Sequence, residues 1–266
     1  MSGILSTVRN KVVKQVQGIP RKLRWAWQNR THARRIAREV AGSDQPIGDL
    51  TRYERKINSQ HGEDGIIEAI FARIGTSNKY VVEFGVGSGR ECNSAYLARK
   101  KGWTGLWMDG KKPRRKRALE VRQEFITAEN ILDLFEKHRV PRNFDLLSID
   151  IDGNDYWVWK KITGFHPRVI IMEYNASVPP SESRTIRYDP AFVWSKTDYY
   201  GASLLALARL GEEKGYRLVG CDNSGVNAFF VERSLAEKHF VAQSVEALYR
   251  PRHRAYVHDE REMIRV

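Results

Sequence analysis

The chain has little cysteine, no long apolar run and, over its first 43 residues, almost no acid. Two cysteines, Cys92 and Cys221, in 266 residues cannot build a disulfide framework, so a reducing compartment is expected. No apolar stretch approaches the ~20 residues that a membrane-crossing helix needs. No internal repeat is present. Residues 1–43 hold one acid, Glu39, against ten Lys and Arg, while the rest of the chain carries 35 basic and 31 acidic residues. The net charge of +13 is therefore mostly a property of the leader. A nucleic-acid enzyme is usually basic across its working face, so this asymmetry argues for a separate basic arm. The remaining composition, 41% hydrophobic and 29% charged, is that of a globular protein with its own core. It excludes collagen, coiled coil and wholesale disorder.

The arm reads as two helices. Ile4, Val8, Val12 and Val16 recur every fourth residue with Lys11 and Lys14 across from them, a weak amphipathic pattern over residues 1–17. Gly18 and Pro20 interrupt it, and residues 21–41 resume with Leu23, Trp25, Trp27, Ile36 and Val40. No apolar segment of signal-peptide type follows the start. Two readings stay open. The arm (residues 1–41) lies on an anionic membrane surface or docks a protein partner. Alternatively, its helices pack on the domain and show a solvated basic face. Gly42 to Pro46 is a hinge by composition, giving an arm over 1–45 and a main domain over 46–266. The expected location is the cytoplasm, with the arm at the inner membrane surface under the first reading.

Beyond the hinge, Ile66, Ile67, Ile70, Phe71 and Ile74 share one helical face, closed by Gly75. Strand-like runs then alternate with helical ones. Strands are expected over 80–84, 103–108, 124–127, 144–149, 168–172, 217–221 and 227–231. Helical patterns cover 93–101, 131–138, 154–162 and 201–214, with one more closing over 118–122. This alternation implies a doubly wound α/β fold with a mostly parallel seven-stranded sheet and a C-terminal antiparallel hairpin. Its ligand edge is at the strand C-termini. The arrangement is similar to that of class I S-adenosylmethionine (SAM)-dependent methyltransferases.

The first strand runs into Glu83, Phe84, Gly85, Val86, Gly87, Ser88 and Gly89. Glycines there let the backbone turn sharply and approach a ligand. The Gly-x-Gly-x-Gly spacing is not that of dinucleotide binders, whose diphosphate needs a helix N-terminus. SAM has no phosphate; its ammonium calls for a carboxylate, which Glu83 could supply. Asp109 ends the second strand, where an acid can accept both ribose hydroxyls; the alternative is a turn aspartate before Gly110. Glu129 and Asn130 could line an adenine pocket or cap the following helix.

Three segments, Ser59 to Asp64 (SQHGED), Val82 to Gly87 (VEFGVG) and Ser148 to Asp155 (SIDIDGND), resemble the FkbM-like branch of these methyltransferases over roughly residues 55–232. The resemblance implies methyl transfer to an oxygen, often on a sugar of a polysaccharide, glycoconjugate or natural product. It also sets Gln60 and Asp150 beside the cofactor. Family members usually have Asp and Gly-Ala-Asn at the first glycines and Asp-Val-Glu-Gly after the fourth strand; this chain has Glu83, Gly85-Val86-Gly87 and Asp150-Ile151-Asp152-Gly153.

A sugar hydroxyl must lose its proton or have its oxygen polarised. Asp150 and Asp152 are the candidate bases, with His61 as a fallback. Asp150, Glu173 and Asn175 offer oxygens from two adjacent strands, which suits a hard cation such as Mg²⁺; they match the pattern of metal-dependent catechol and macrolide-sugar O-methyltransferases. A metal-free general base and a purely structural turn are the alternatives. The insertion over 177–200 carries candidate acceptor residues: Arg184 and Arg187 to grip an anion, and Trp194, Tyr199 and Tyr200 to stack on a sugar. The basic run from Lys111 to Arg117 is a solvated helix start, an anionic-polymer contact or a 2′-phosphate site, the last disfavoured by the glycine spacing. Nucleic acid is not the expected partner, because the Asn/Asp-Pro-Pro-aromatic motif of amino-directed enzymes is missing after the fourth strand. RNA methylation and a non-catalytic scaffold of the same fold are the competing functions.

Overall fold

The computed structural model describes residues 31–111, 119–252 and 255–266. The chain divides into two compact units, Met1–Ser43 and Asp44–Val266. In the first, the described residues are helical from Thr31 and end in a wide turn over Ala37–Ala41, closed by Gly42. The helix expected over residues 1–17 and the first ten residues of the one over 21–41 lie outside the described residues, as does the basic run after Lys111. Among the described residues no helix is long and apolar enough to cross a membrane.

The second unit is built on a seven-stranded sheet. Its strands are β1 (Tyr80–Phe84), β2 (Thr104–Asp109), β3 (Val121–Gln123), β4 (Asn143–Ile149), β5 (His166–Glu173), β7 (Tyr216–Cys221) and β8 (Asn227–Glu232), in the order β3-β2-β1-β4-β5-β8-β7. All neighbours are parallel except β8, which runs antiparallel to both β5 and β7. The expected α/β class, the mostly parallel seven-stranded sheet and the C-terminal hairpin are the ones observed.

One helix, α1 (Glu63–Ile74), precedes β1, and the others come after strands: α2 (Ala95–Lys101), α3 (Ile131–Lys137), α4 (Asp155–Lys161), α5 (Leu204–Glu213), α6 (Arg233–His239) and α7 (Val245–Leu248). One pleat face presents Val82, Phe84, Leu147, Ile149, Ile170 and Met172 to α3, α4 and α5 in a single apolar cluster. Within it, Trp159 lies 5.1 Å from Phe230 and Phe135 lies 4.9 Å from Phe165, ring centre to ring centre. Leu204, Leu207 and Leu210 of α5 are all buried there. At about 1.5–3 kcal/mol per leucine, that burial outweighs the marginal stability of so short an isolated helix. Ser203 caps it by accepting the Ala206 N–H.

The opposite face is apolar at its lower end and polar at its upper one. Val81, Leu146, Val169 and Ile171 are buried, and then Glu83, Ser148, Glu173 and Asn227 follow along the strands toward the C-terminal edge. Helix α1 is tied to this face by Asn227 donating to Glu63 at 2.8 Å. At the other edge, fully buried Asp145 accepts the N–H groups of Ser77, Asn78 and Lys79 and pairs with Arg168 at 2.9 Å.

Some boundaries differ from expectation. The third strand is Val121–Gln123, where a helix end was expected, and residues 124–127 form no strand. Glu124 donates one last bond to the Asp109 carbonyl and the chain then leaves the sheet, which puts Phe125 in solvent with 57% of its surface exposed. Strand β5 starts at His166, which pairs with Asn143 at the edge away from the ligand end. A second, two-stranded sheet was not foreseen: β6 (Arg184–Thr185) of the insertion pairs with β9 (Ile264–Arg265) near the C-terminus. Such a pairing has no local sequence signal, because its halves are about 80 residues apart.

Candidate functional site

A cleft of about 590 Å³ opens at the C-terminal edge of β1, β2 and β4. Its walls come from Gly85 and Gly87 after β1, Asp109 to Lys111 after β2, and Phe125 and Ile126 after β3. Asp150 to Asp152 and Asn154 after β4 form the floor, and Pro190 to Trp194 with Lys196 of the insertion form the roof.

The glycines have separate reasons. Gly85 has φ +79°, and a Cβ on it would lie 1.3 Å from the Asp150 carbonyl oxygen, so only glycine lets the ends of β1 and β4 meet. Gly87 has φ +54° and nothing within 4 Å of a built Cβ; the space beside it belongs to the cleft. Gly89 is not in the cleft: it backs onto Leu119 and Val121, and its carbonyl accepts from Arg99.

Asp109 holds the glycine turn. One carboxylate oxygen accepts the Gly87 N–H at 2.7 Å and the other the Lys111 N–H at 2.8 Å. It remains half-exposed at the cleft wall. Glu83 does something else. It is buried, and its oxygens accept the N–H groups of Asn93 and Ser94 and the Ser94 hydroxyl, which itself accepts from Trp107. Its carboxylate therefore closes the loop that leads into α2, and it lines no part of the cleft. Glu129 accepts from the Tyr188 hydroxyl, which in turn accepts the Ala128 N–H at 3.2 Å. Asn130 accepts from Thr127 N–H and donates to the Phe125 carbonyl. These two residues shape the turn after β3 and fasten the insertion to it; Phe125 and Ile126 face the cleft in their place.

The floor is acidic. Asp150, Asp152 and Glu173 each bring a carboxylate oxygen within 4.8 Å of the others. Asp155 closes the turn beneath by accepting the N–H groups of Ile151 and Gly153, both at 2.8 Å. Asp152 has φ +59°, a left-handed backbone that a non-glycine residue holds only when its surroundings enforce it. Burial and mutual repulsion raise these acids: Glu173 is pushed up to about 8, Asp155 by burial to about 6, and Asp150 well above the usual carboxylate range by burial and the Glu173 charge. Burial raises Asp152 too, opposed by Arg252 and Lys111.

Arg252 reaches this cluster and pairs with Glu173, and sequence reasoning missed it. Its Nη1 donates to the Tyr200 hydroxyl at 2.7 Å and lies 3.4 Å from Glu173. Its guanidinium sits 4.5 Å from the Tyr256 ring centre. No spacing rule links a C-terminal arginine to a strand end, so only the folded chain shows it.

The remaining candidates divide. Trp194 lines the cleft and donates its indole N–H to the Thr197 carbonyl at 2.8 Å. Tyr199 and Tyr200 are buried; Tyr199 accepts the Arg187 N–H and Tyr200 accepts from Arg252. Arg184 pairs with Glu182, and neither it nor Arg187 lines the cleft. Asn175 spends its amide on the carbonyls of Asp198 and Tyr200 and its oxygen on the Ser177 N–H, so Asp152 takes its place in the acidic cluster. Gln60 and His61 are exposed and line no part of the cleft. The insertion is laced to the C-terminal segment by Thr197 to Asp259, Asp198 to His258, and Arg261 over Tyr199 at 4.3 Å. Phe192 packs on Gly153, where a Cβ would lie 2.3 Å from its ring.

Compared with known proteins, the chain matches no family model and no curated protein.

Proposed function

We propose that this cleft binds SAM and that the protein transfers its methyl group to a hydroxyl of a sugar in a glycoconjugate, polysaccharide or natural product. The observation that carries the reading is one of convergence. The glycine turn, the acid ending β2 and the acidic floor after β4 line one cleft at the ligand edge of a sheet ordered β3-β2-β1-β4-β5-β8-β7. In a doubly wound sheet that edge is where ligands bind. The residues suit the molecule. Asp109 has spare lone pairs for ribose hydroxyls, Gly87 leaves room for backbone approach, and Phe125 with Ile126 offers an apolar wall for a base. Asp150 and Asp152, both raised by burial, would be drawn into their charged forms beside a bound sulfonium and ammonium, the part first expected of Glu83.

SAM supplies, when bound, a methyl group on a positively charged sulfur. The protein's work is then alignment, exclusion of water and removal of the hydroxyl proton. Asp152, exposed on the floor, is the residue positioned to take that proton as the oxygen acquires its methyl. A divalent cation is the alternative to that base: oxygens from Asp150, Asp152 and Glu173 form a hard donor set, and an ion held there would polarise the acceptor oxygen instead. The cytoplasmic location, with the basic arm at a membrane surface, is part of this proposal.

Calorimetry of the full chain with SAM and with S-adenosylhomocysteine is the test. Micromolar-range binding of both is expected. Binding of neither would overturn the reading and favour a scaffold. Once a methylation assay exists, EDTA followed by Mg²⁺ decides the metal; activity unchanged under chelation removes it.

A further inference from the structure

The cleft has two electrical sides. Its floor carries Asp150 and Asp152, with Glu173 behind them. Its roof carries Lys196, at the tip of the insertion. The ion pairs around that tip, Arg184 with Glu182, His258 with Asp198 and Arg261 with Asp259, leave Lys196 out. Yet the tip is firmly built. Trp194 donates to the Thr197 carbonyl, Thr197 bridges to Val257 and bonds Asp259, and Lys196 between them is held at φ +66°. A lysine kept in the left-handed region, facing a cleft and without an ion-pair partner among the described residues, is presented to something.

Trp194 has a backing of the same character. Its ring lies 5.7 Å from Tyr200 and 5.0 Å from Tyr256, and those two rings are 5.6 Å apart. The Arg252 guanidinium stacks on Tyr256 and fixes itself through a single nitrogen, Nη1. The roof thus joins the Trp194 face to the Lys196 charge over a floor of carboxyl groups, with Lys111 on the wall, while Arg252 stands behind Tyr200 and Tyr256 and is paired with Glu173. An acceptor with an anion is favoured with the anion toward Lys196 and its hydroxyl toward the acids of the floor. Charge then fixes register as well as affinity.

We propose that the acceptor is an acidic sugar, bearing a carboxylate or a phosphate, whose ring rests on Trp194 and whose negative charge is received by Lys196. This rests on reading the cleft as a methyl-transfer site, and it adds the substrate class.

Glucose, glucuronate and glucose 6-phosphate are titrated into the full chain by saturation-transfer NMR, at low and at high salt. The expected result is that at least one acidic sugar binds about tenfold or more tightly than glucose, the usual scale of a charged hydrogen bond. That preference weakens with salt and is lost in Lys196→Gln. The two acids distinguish carboxylate from phosphate. The exposed position of Lys196 keeps the variant folded, which a thermal melt matching the parent confirms. Glucose binding as tightly as both acids, or an unaltered preference in Lys196→Gln, overturns the inference. SAM calorimetry alongside separates the two readings. SAM binding without acid preference sinks this inference alone. Acid preference without SAM binding sinks the methyl-transfer reading and leaves the anion receptor standing.

Discussion

Glu173 should make the protein less stable as the solution becomes more alkaline, and Glu173→Gln should remove much of that loss. Glu173 is buried behind the acidic floor, beside Asp150 and Asp152. Burial, then the charges of Asp152 and Asp155, push its carboxyl from 4.5 up to about 8, against the opposing pull of Arg252. Between those two values the folded state keeps a proton that the unfolded chain has released. Stability therefore falls as pH rises through this window and the loss is complete above about 8. At about 1.4 kcal/mol per unit the shift corresponds to roughly 5 kcal/mol. Part of that belongs jointly to Asp150, whose own rise owes much to the Glu173 charge. Glutamine keeps the shape without the charge and gives up a 3.4 Å contact to Arg252, so a net gain of ~2–4 kcal/mol is expected at pH 9. At pH 5 the two proteins should be nearly equal. Urea unfolding from pH 5 to 9 measures this directly. Parallel stability profiles, or a variant weaker than the parent at pH 9, would refute the electrostatic account of the cluster.

Other outcomes test other parts of the molecule. Asp109→Asn should weaken SAM binding by about tenfold or more in calorimetry, through lost hydrogen bonds to a charged acceptor. Asp145→Asn leaves the buried Arg168 contact and three N–H donors without a carboxylate and should cost ~3 kcal/mol in urea unfolding, with SAM binding preserved in the folded fraction. Gly85→Ala, which forces a Cβ to within 1.3 Å of the Asp150 carbonyl at a positive φ, should yield insoluble protein or a stability loss above ~3 kcal/mol; a soluble variant of parental stability would contradict the packed strand ends.

The sequence by itself determined the sheet. Short, largely apolar runs such as Tyr80–Phe84 and Phe144–Ile149, broken by helical periods, are local signals, because a strand buried on both faces must be mostly apolar along its length. The glycine turn and Asp109 were legible for a similar reason: each requirement, a positive φ and a carboxylate, falls directly at the end of a strand that is itself legible. The site's partners were not. Glu83 satisfies a cofactor's demand on paper, but the pleat turns it to the buried face, where the amides entering α2 claim both of its oxygens. Asn175 sits at the right strand end, yet its amide is consumed by the insertion's own carbonyls. Phe125 and Ile126 have a strand's composition but leave the sheet to become a cleft wall. Arg252 and Tyr256 reach the acidic floor from a segment nearly 80 residues beyond Glu173. Only tertiary structure decides which polar groups are already spoken for, since a hydrogen bond or ion pair depends on distances that the order of residues does not specify.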